Sequence, residues 1–221
     1  MTLPLPLVLA TQNADKACEI VEIFVALTGA PLIAYSIDGI AFLVDTPEDI
    51  ASAVAALPVL SEAPDVEETG ATLEDNARIK ACALADALGM LAVADDTGLE
   101  VDALEGAPGV YSARYAGEHA TYGDNVAKLL RELEGTYPRL RTARFATVAI
   151  ARRPDGAEVV ARGEIEGLIA AAPRGDDGFG YDPVFVPIEG DGRSFAEMAP
   201  AEKHAVSHRG RAFRNLAAAL A

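Results

Sequence analysis

The amino-acid sequence predicts an α/β fold: a mixed, twisted central sheet with flanking helices and one long antiparallel hairpin. Short apolar runs of strand length, such as Leu5 to Ala10 and Leu91 to Ala94, alternate with longer segments of helical periodicity. Phe145 to Ala151 and Val159 to Ala172 flank a Pro154-Asp155-Gly156 turn, which makes that pair antiparallel. Helices interleaved with strands, one pair of them antiparallel, require a mixed sheet. No repeat, low-complexity segment or linker divides the 221 residues, and a hydrophobic content of 51% supports a single domain over residues 1–221.

Leu5 to Ala10 reads as a buried strand that empties into Thr11-Gln12-Asn13 before a helix reaching Leu27. Pro31 to Ile37 is a second strand. Thr46 as N-cap, Pro47 at the first helical position and Glu48-Asp49 in the first turn open a helix that runs to Leu57. Thr72-Leu73-Glu74-Asp75 has capping-box spacing with Asp in place of Glu, and Gly89 closes the helix it starts. After a strand from Leu91 to Ala94, Thr121 opens a helix whose Tyr122, Val126, Leu129, Leu130 and Leu133 form one apolar stripe before Gly135. The last helix starts near Ser207 and turns Phe213, Leu216, Ala217 and Leu220 inward.

Charge narrows the function classes. Lys plus Arg total 18 against 34 acids, a net charge of −16 that opposes binding to polymeric nucleic acid. A small anion brought in with a divalent metal is compatible with it. Cys18 and Cys82 fall inside predicted helices without CxxC or Cys/His spacing, which points to reduced, small core residues rather than a disulfide or a zinc site. The apolar start MTLPLPLVLATQN lacks a basic segment and a cleavage pattern, and no stretch approaches the roughly 18 apolar residues of a membrane span. A cytoplasmic protein without membrane contact is expected.

Two adjacent carboxylates at a core edge need a cationic partner. In the strand that precedes them, Leu91, Val93 and Asp95 share one face while Ala92, Ala94 and Asp96 share the other. The alanine face leaves space for a ligand and favours Asp96 as the contact; the competing reading is a pair that caps a turn. Lys80 lies on the stripe of Leu73, Ala77, Leu84 and Leu88, and either points into a site or snorkels to solvent. Glu67-Glu68-Thr69-Gly70 offers further carboxylates, or is a solvated acidic loop. Thr11 to Lys16 joins a strand end to a helix N-terminus and a lysine, which suits phosphate, although any strand-to-helix turn looks similar. Gly178-Phe179-Gly180-Tyr181-Asp182-Pro183 places exposed aromatics among glycines, suited to stacking on a base or to a hairpin corner. Ser207-His208-Arg209 is an N-cap with two donors behind it, suited to a carbonyl oxygen or phosphate, or else an ordinary helix start.

Taken in order, ATQNADK, EETGATLEDNARIKA, ADDTGLEVDALEGAPGVYSARYAG, GFGYDPVF and AEMAPAEKHAVSHRGRA closely resemble the inosine triphosphate pyrophosphatase family, the Ham1-like non-standard purine nucleoside triphosphate pyrophosphatases. The resemblance spans nearly the whole chain. It implies an architecture with a cleft between two lobes, and hydrolysis of ITP, dITP and XTP to the monophosphate and pyrophosphate. It also implies Mg²⁺ as cofactor and a homodimer. Position by position it implies Asp96 as the catalytic, metal-associated aspartate, acting on water directly or through Asp95, and Glu68 as a metal-binding glutamate. Thr11, Asn13, Lys16 and Lys80 match phosphate-side positions. Thr97, Phe179, Gly180, Tyr181, Asp182, Lys203, His208 and Arg209 match substrate and base contacts.

Base selection then follows from hydrogen bonding. Hypoxanthine and xanthine present an O6 acceptor to the His208 and Arg209 donors, whereas adenine presents an amino donor. An unpaired buried donor costs about 1–3 kcal/mol, so each lost contact disfavours adenine by about one to two decades. Guanine shares O6, so its rejection comes from around its 2-amino group. The chain departs from the family at Thr97, where serine is usual, at Gln12 and Asp15, in a loop often carrying glycine, and at His204. Residues 38–60 are longer than the usual connection and read as an insertion. Three rivals compete: the Maf-like nucleotide pyrophosphatases, a nucleotide-binding module without catalysis, and a scaffold. UTP or TTP turnover above ITP would mark the first; the retained Glu68, Asp95 and Asp96 oppose the second; the polar loop segments oppose the third.

Overall fold

The computed structural model describes residues 4, 6–11, 13–28, 33–37, 40–44 and 66–221. Among these the order is β1 (Leu7–Leu9), α1 (Ala14–Thr28), β2 (Ile33–Ile37), β3 (Ile40–Val44), α2 (Leu73–Leu88), β4 (Leu91–Val101), β5 (Pro108–Gly109), α3 (Tyr122–Glu132), β6 (Thr142–Arg152), β7 (Glu158–Ile169), β8 (Phe185–Pro187), α4 (Pro200–Val206) and α5 (His208–Leu220). The strands form one sheet in the order β2-β3-β1-β4-β6-β7-β8, with β5 paired to β4. It is mixed, as expected: β1 runs parallel to β4 with Val8 opposite Ala92, and antiparallel to β3 with Val8 opposite Phe42. The β6–β7 connection spans five residues, far shorter than a parallel crossover allows.

The chain divides into two compact units, Met1–Asp96 with Val148–Arg162 and Ala212–Ala221, and Thr97–Thr147 with Gly163–Arg211. In the first, strand alternation feeds two apolar layers. Leu7, Leu9, Leu91 and Val93 pack with Ile20, Ile23 and Phe24 of α1 and with Phe213, Leu216 and Ala217 of α5. The Phe24 and Phe213 rings meet edge to face at 5.4 Å. Val8 and Ala92, on the other face, pack against Leu84 and Ala85 of α2. Thr72 caps α2 by accepting from the Asp75 N–H, and Gly89 ends it at φ 63°, a left-handed conformation that glycine adopts without strain. In the second unit, Leu99, Val101, Leu129, Leu133, Phe145, Phe185 and Phe195 form the core. Each such buried side chain contributes about 1.5–3 kcal/mol by leaving water.

Four expectations change. The strand does not stop at Ala94: β4 runs on through both aspartates to Val101, because each carboxylate meets a cation on its own side of the sheet. Residues 40–44, inside the expected insertion, form β3 between β2 and β1; the helix expected over 46–57 lies outside the described residues. Tyr122 leaves the apolar stripe of α3 and is 42% exposed. Cys18 is exposed on α1 and Cys82 is half-buried, so neither is a fully enclosed core residue; both are free thiols. No helix among the described residues is long and apolar enough to cross a membrane.

Candidate active site

Alternation along β4 sends its two aspartates to different helices of the first unit. Asp95 Oδ2 lies 3.4 Å from Nζ of Lys16, in the first turn of α1. Asp96 faces α2: its Oδ1 is 3.6 Å from Lys80 Nζ, and its Oδ2 accepts from Asn76 Nδ2 at 3.2 Å. Lys80 Nζ also donates to Glu68 Oε1 at 2.8 Å, so the lysine points into the carboxylates and does not snorkel. Burial disfavours its ammonium, yet Asp96, Asp95 and Glu68 outweigh that and hold its pKa above the ordinary lysine value. Burial likewise raises the Asp96 pKa; Lys80 and Lys16 pull it down, Glu68 and Asp95 push it up, and the balance is a raised value. At the start of α1, Asn13 Oδ1 accepts from the Lys16 N–H at 3.0 Å and Thr11 Oγ1 from the Asn13 N–H at 3.2 Å. Both phosphate-side candidates thus brace the helix N-terminus that carries Lys16.

The remaining candidates gather in the second unit. Thr97 Oγ1 lies 2.7 Å from Thr147 Oγ1 and accepts from Arg209 Nη2 at 3.3 Å. Ser207 caps α5, its Oγ accepting from the Gly210 N–H at 3.1 Å, and His208 stacks on Phe145 with ring centres 4.4 Å apart. Asp182 Oδ2 accepts from Lys203 Nζ at 2.6 Å and from the Phe179 N–H at 2.8 Å, so this buried ion pair also fixes the Gly178–Asp182 loop. Lys203 Nζ and Arg209 Cζ stand 5.1 and 5.4 Å from the Phe179 ring centre, within cation–π range. Gly180, the next residue, is half-buried. Tyr181 is not the exposed aromatic expected: it is buried in the core and its hydroxyl donates to the Ser112 carbonyl at 2.9 Å, because the loop turns it inward. Burial pushes its phenol pKa up.

A family model described as the Ham1 family matches residues 7–219. The chain belongs to the Ham1 family. It is 46% identical to a dITP/XTP pyrophosphatase of Nitratidesulfovibrio vulgaris over 216 residues, covering 95% of this chain and 93% of that one. It is 44% identical to the Lactiplantibacillus plantarum dITP/XTP pyrophosphatase, covering 98% and 95%. Among solved structures, a HAM1 protein from Coxiella burnetii superposes with a TM-score of 0.76 at 37% identity, covering 97% of each chain.

Within this Ham1 chain, sequence reasoning missed two polar residues that the structure places beside the candidates. Asn76 sits four residues before Lys80, hence on the same face of α2, and its polarity at a buried helical position was the available signal. Thr147 interrupts an otherwise apolar stretch of β6 and shares a strand face with Phe145. A metal can also be weighed against the donors present. Among the described residues no group of three or more His, Cys, Asp or Glu is arranged to hold a metal ion. Glu68 and Asp96 instead offer two hard oxygen donors flanking Lys80 Nζ. Mg²⁺ binds through one or two carboxylates plus waters and substrate phosphates, so this pair fits it and does not fit a closed zinc cage.

Proposed function

We propose that this Ham1 family member hydrolyses non-standard purine nucleoside triphosphates, dITP, XTP and ITP, to the monophosphate and pyrophosphate. The observation that carries it is the buried carboxylate–lysine cluster of β4, α1 and α2. It matches the needs of a reaction on a polyanion, and 43–46% identical relatives over most of the chain bear the name dITP/XTP pyrophosphatase. A water oxygen forms a bond to the α-phosphorus, the bridging α–β P–O bond breaks, and pyrophosphate leaves. Glu68 and Asp96 would hold Mg²⁺, which neutralises charge on phosphate oxygens when bound. Lys16 and Lys80 stabilise the negative charge on the departing pyrophosphate, in the low-dielectric setting where such contacts are strongest. Asp96 orients the attacking water, and Asp95 holds the Lys16 ammonium in place. Thr97, Phe179, His208 and Arg209 take the nucleoside, the His208 and Arg209 donors meeting O6; Lys203 acts beside them while paired to Asp182. The family resemblance further supports a homodimer, which size-exclusion chromatography with light scattering would test, and a substrate drawn from the cytoplasmic nucleotide pool.

The test is pyrophosphate release from dITP, XTP, ITP, GTP, ATP and UTP, with Mg²⁺ and with EDTA, separating pyrophosphate from orthophosphate. Metal-dependent pyrophosphate from the first three, well above ATP and GTP, is expected. Orthophosphate as the product would overturn attack at the α-phosphorus, and UTP in the lead would overturn the purine assignment.

A further inference from the structure

Asn76 is wholly buried and uses both ends of its amide. Its Oδ1 accepts from the Gly70 N–H at 2.8 Å, and its Nδ2 donates to Asp96 Oδ2 at 3.2 Å. The chemistry allows one orientation, since a backbone N–H only donates and a carboxylate only accepts. The other Asp96 oxygen faces Lys80, which also holds Glu68, two residues before Gly70. The contacts therefore close a circuit from the acidic loop through Asn76 and Asp96 to Lys80 and back to Glu68. Gly70 belongs to the same device: a Cβ there would come within 2.5 Å of Asn76 Oδ1 and 2.8 Å of its backbone nitrogen. Capping of α2 does not need the Asn76 side chain, because Thr72 Oγ1 accepts from Asp75 and the Thr72 carbonyl accepts from the Asn76 N–H.

We propose that Asn76 is a positioning residue, tying the Glu67–Gly70 loop to Asp96 so that Glu68 and Asp96 present oxygens to one divalent cation. The proposal rests on the Mg²⁺ reading of the preceding subsection. Packing alone would make Asn76 matter for stability; positioning makes it matter for metal affinity and turnover as well. Groups that orient metal ligands typically change affinity or activity by about 10–100-fold.

The experiment uses Mn²⁺ as a probe, its binding to the nucleotide-free protein followed by electron paramagnetic resonance, alongside dITP kinetics in excess Mg²⁺ and thermal melting. Asn76→Ala is expected to weaken Mn²⁺ binding and to lower kcat, each by about 10-fold or more, with KM for dITP within about threefold of wild type. Gly70→Ala should move both readouts the same way. The double variant should be no worse than the weaker single, because both break one linkage. Glu68→Gln separates the two ideas: if it leaves Mn²⁺ affinity and turnover unchanged, the metal reading fails whatever Asn76 does. If Glu68→Gln weakens Mn²⁺ binding while Asn76→Ala and Gly70→Ala stay within about twofold of wild type, the positioning role is overturned. Loss of folding in both variants would make the side chain purely structural and overturn it too.

Discussion

Replacing Lys80 by methionine keeps the length of the side chain and removes one buried positive charge. At an effective dielectric constant of about 20, its contacts to Glu68 at 2.8 Å and Asp96 at 3.6 Å are worth about 6 and 5 kcal/mol gross. Burying the ammonium costs several kcal/mol, which the variant recovers, so the net loss in metal-free protein is about 2–4 kcal/mol. For a chain of this size that lowers the melting temperature by about 4–16 °C. The loss depends on pH. Burial already raises the Asp96 pKa, and without Lys80 it rises further. A carboxyl whose folded pKa exceeds its unfolded value binds extra protons when folded, so its contribution falls as pH rises through that window. The deficit against wild type should therefore be largest near about pH 8 and shrink towards about pH 4. Mg²⁺ should raise the melting temperature of the variant more than that of wild type, since the ion replaces the missing charge. Differential scanning calorimetry in EDTA and in excess Mg²⁺ measures all of this. Equal melting of both proteins at alkaline pH in EDTA would refute the idea that Lys80 compensates these carboxylates.

Three further outcomes are expected. Asp96→Asn should slow pyrophosphate release from dITP by about 10²–10⁴-fold, because an isosteric amide lacks the charge that holds a cation and the second oxygen that orients water; a pyrophosphate assay reads the effect. Asp182→Ala leaves the buried Lys203 ammonium without its carboxylate and should cost about 3–5 kcal/mol, measured by urea unfolding. Thr147→Val keeps the shape but leaves the Thr97 hydroxyl short of a partner; it should cost about 1–3 kcal/mol by the same assay, and an unchanged midpoint would argue against the hydroxyl pair.

Local signals were legible in the sequence where one residue acts on its own backbone. The Thr72, Thr121 and Ser207 caps and the Gly89 stop depend on neighbours within one helical turn, and all are present. Strand parity was legible too, which is why Leu91 and Val93 separate from Ala92 as alternation requires. What periodicity could not give was the partner across space. By itself the pattern favours a Lys80 that snorkels to solvent, because nothing near it in the chain announces that Asp96 lies beyond its ammonium. Two adjacent carboxylates carry the local signature of a strand terminus, and only the lysines on both faces, remote in sequence, let β4 continue through them. Asn76 gives no local sign of its role, since its donor and acceptor partners are the sixth residue before it and the twentieth after it.

The parity of β4 distinguishes Asp95 from Asp96 by nothing more than their count from Leu91. Loss or gain of one residue between Leu91 and Asp95 would turn one part of the strand over. Either each aspartate would meet the helix meant for the other, or Leu91 and Val93 would be driven into the tight layer that Ala92 shares with α2. A library selected for activity should therefore accept many exchanges of side chain in this strand and almost no changes of length, leaving insertions to accumulate in the loops.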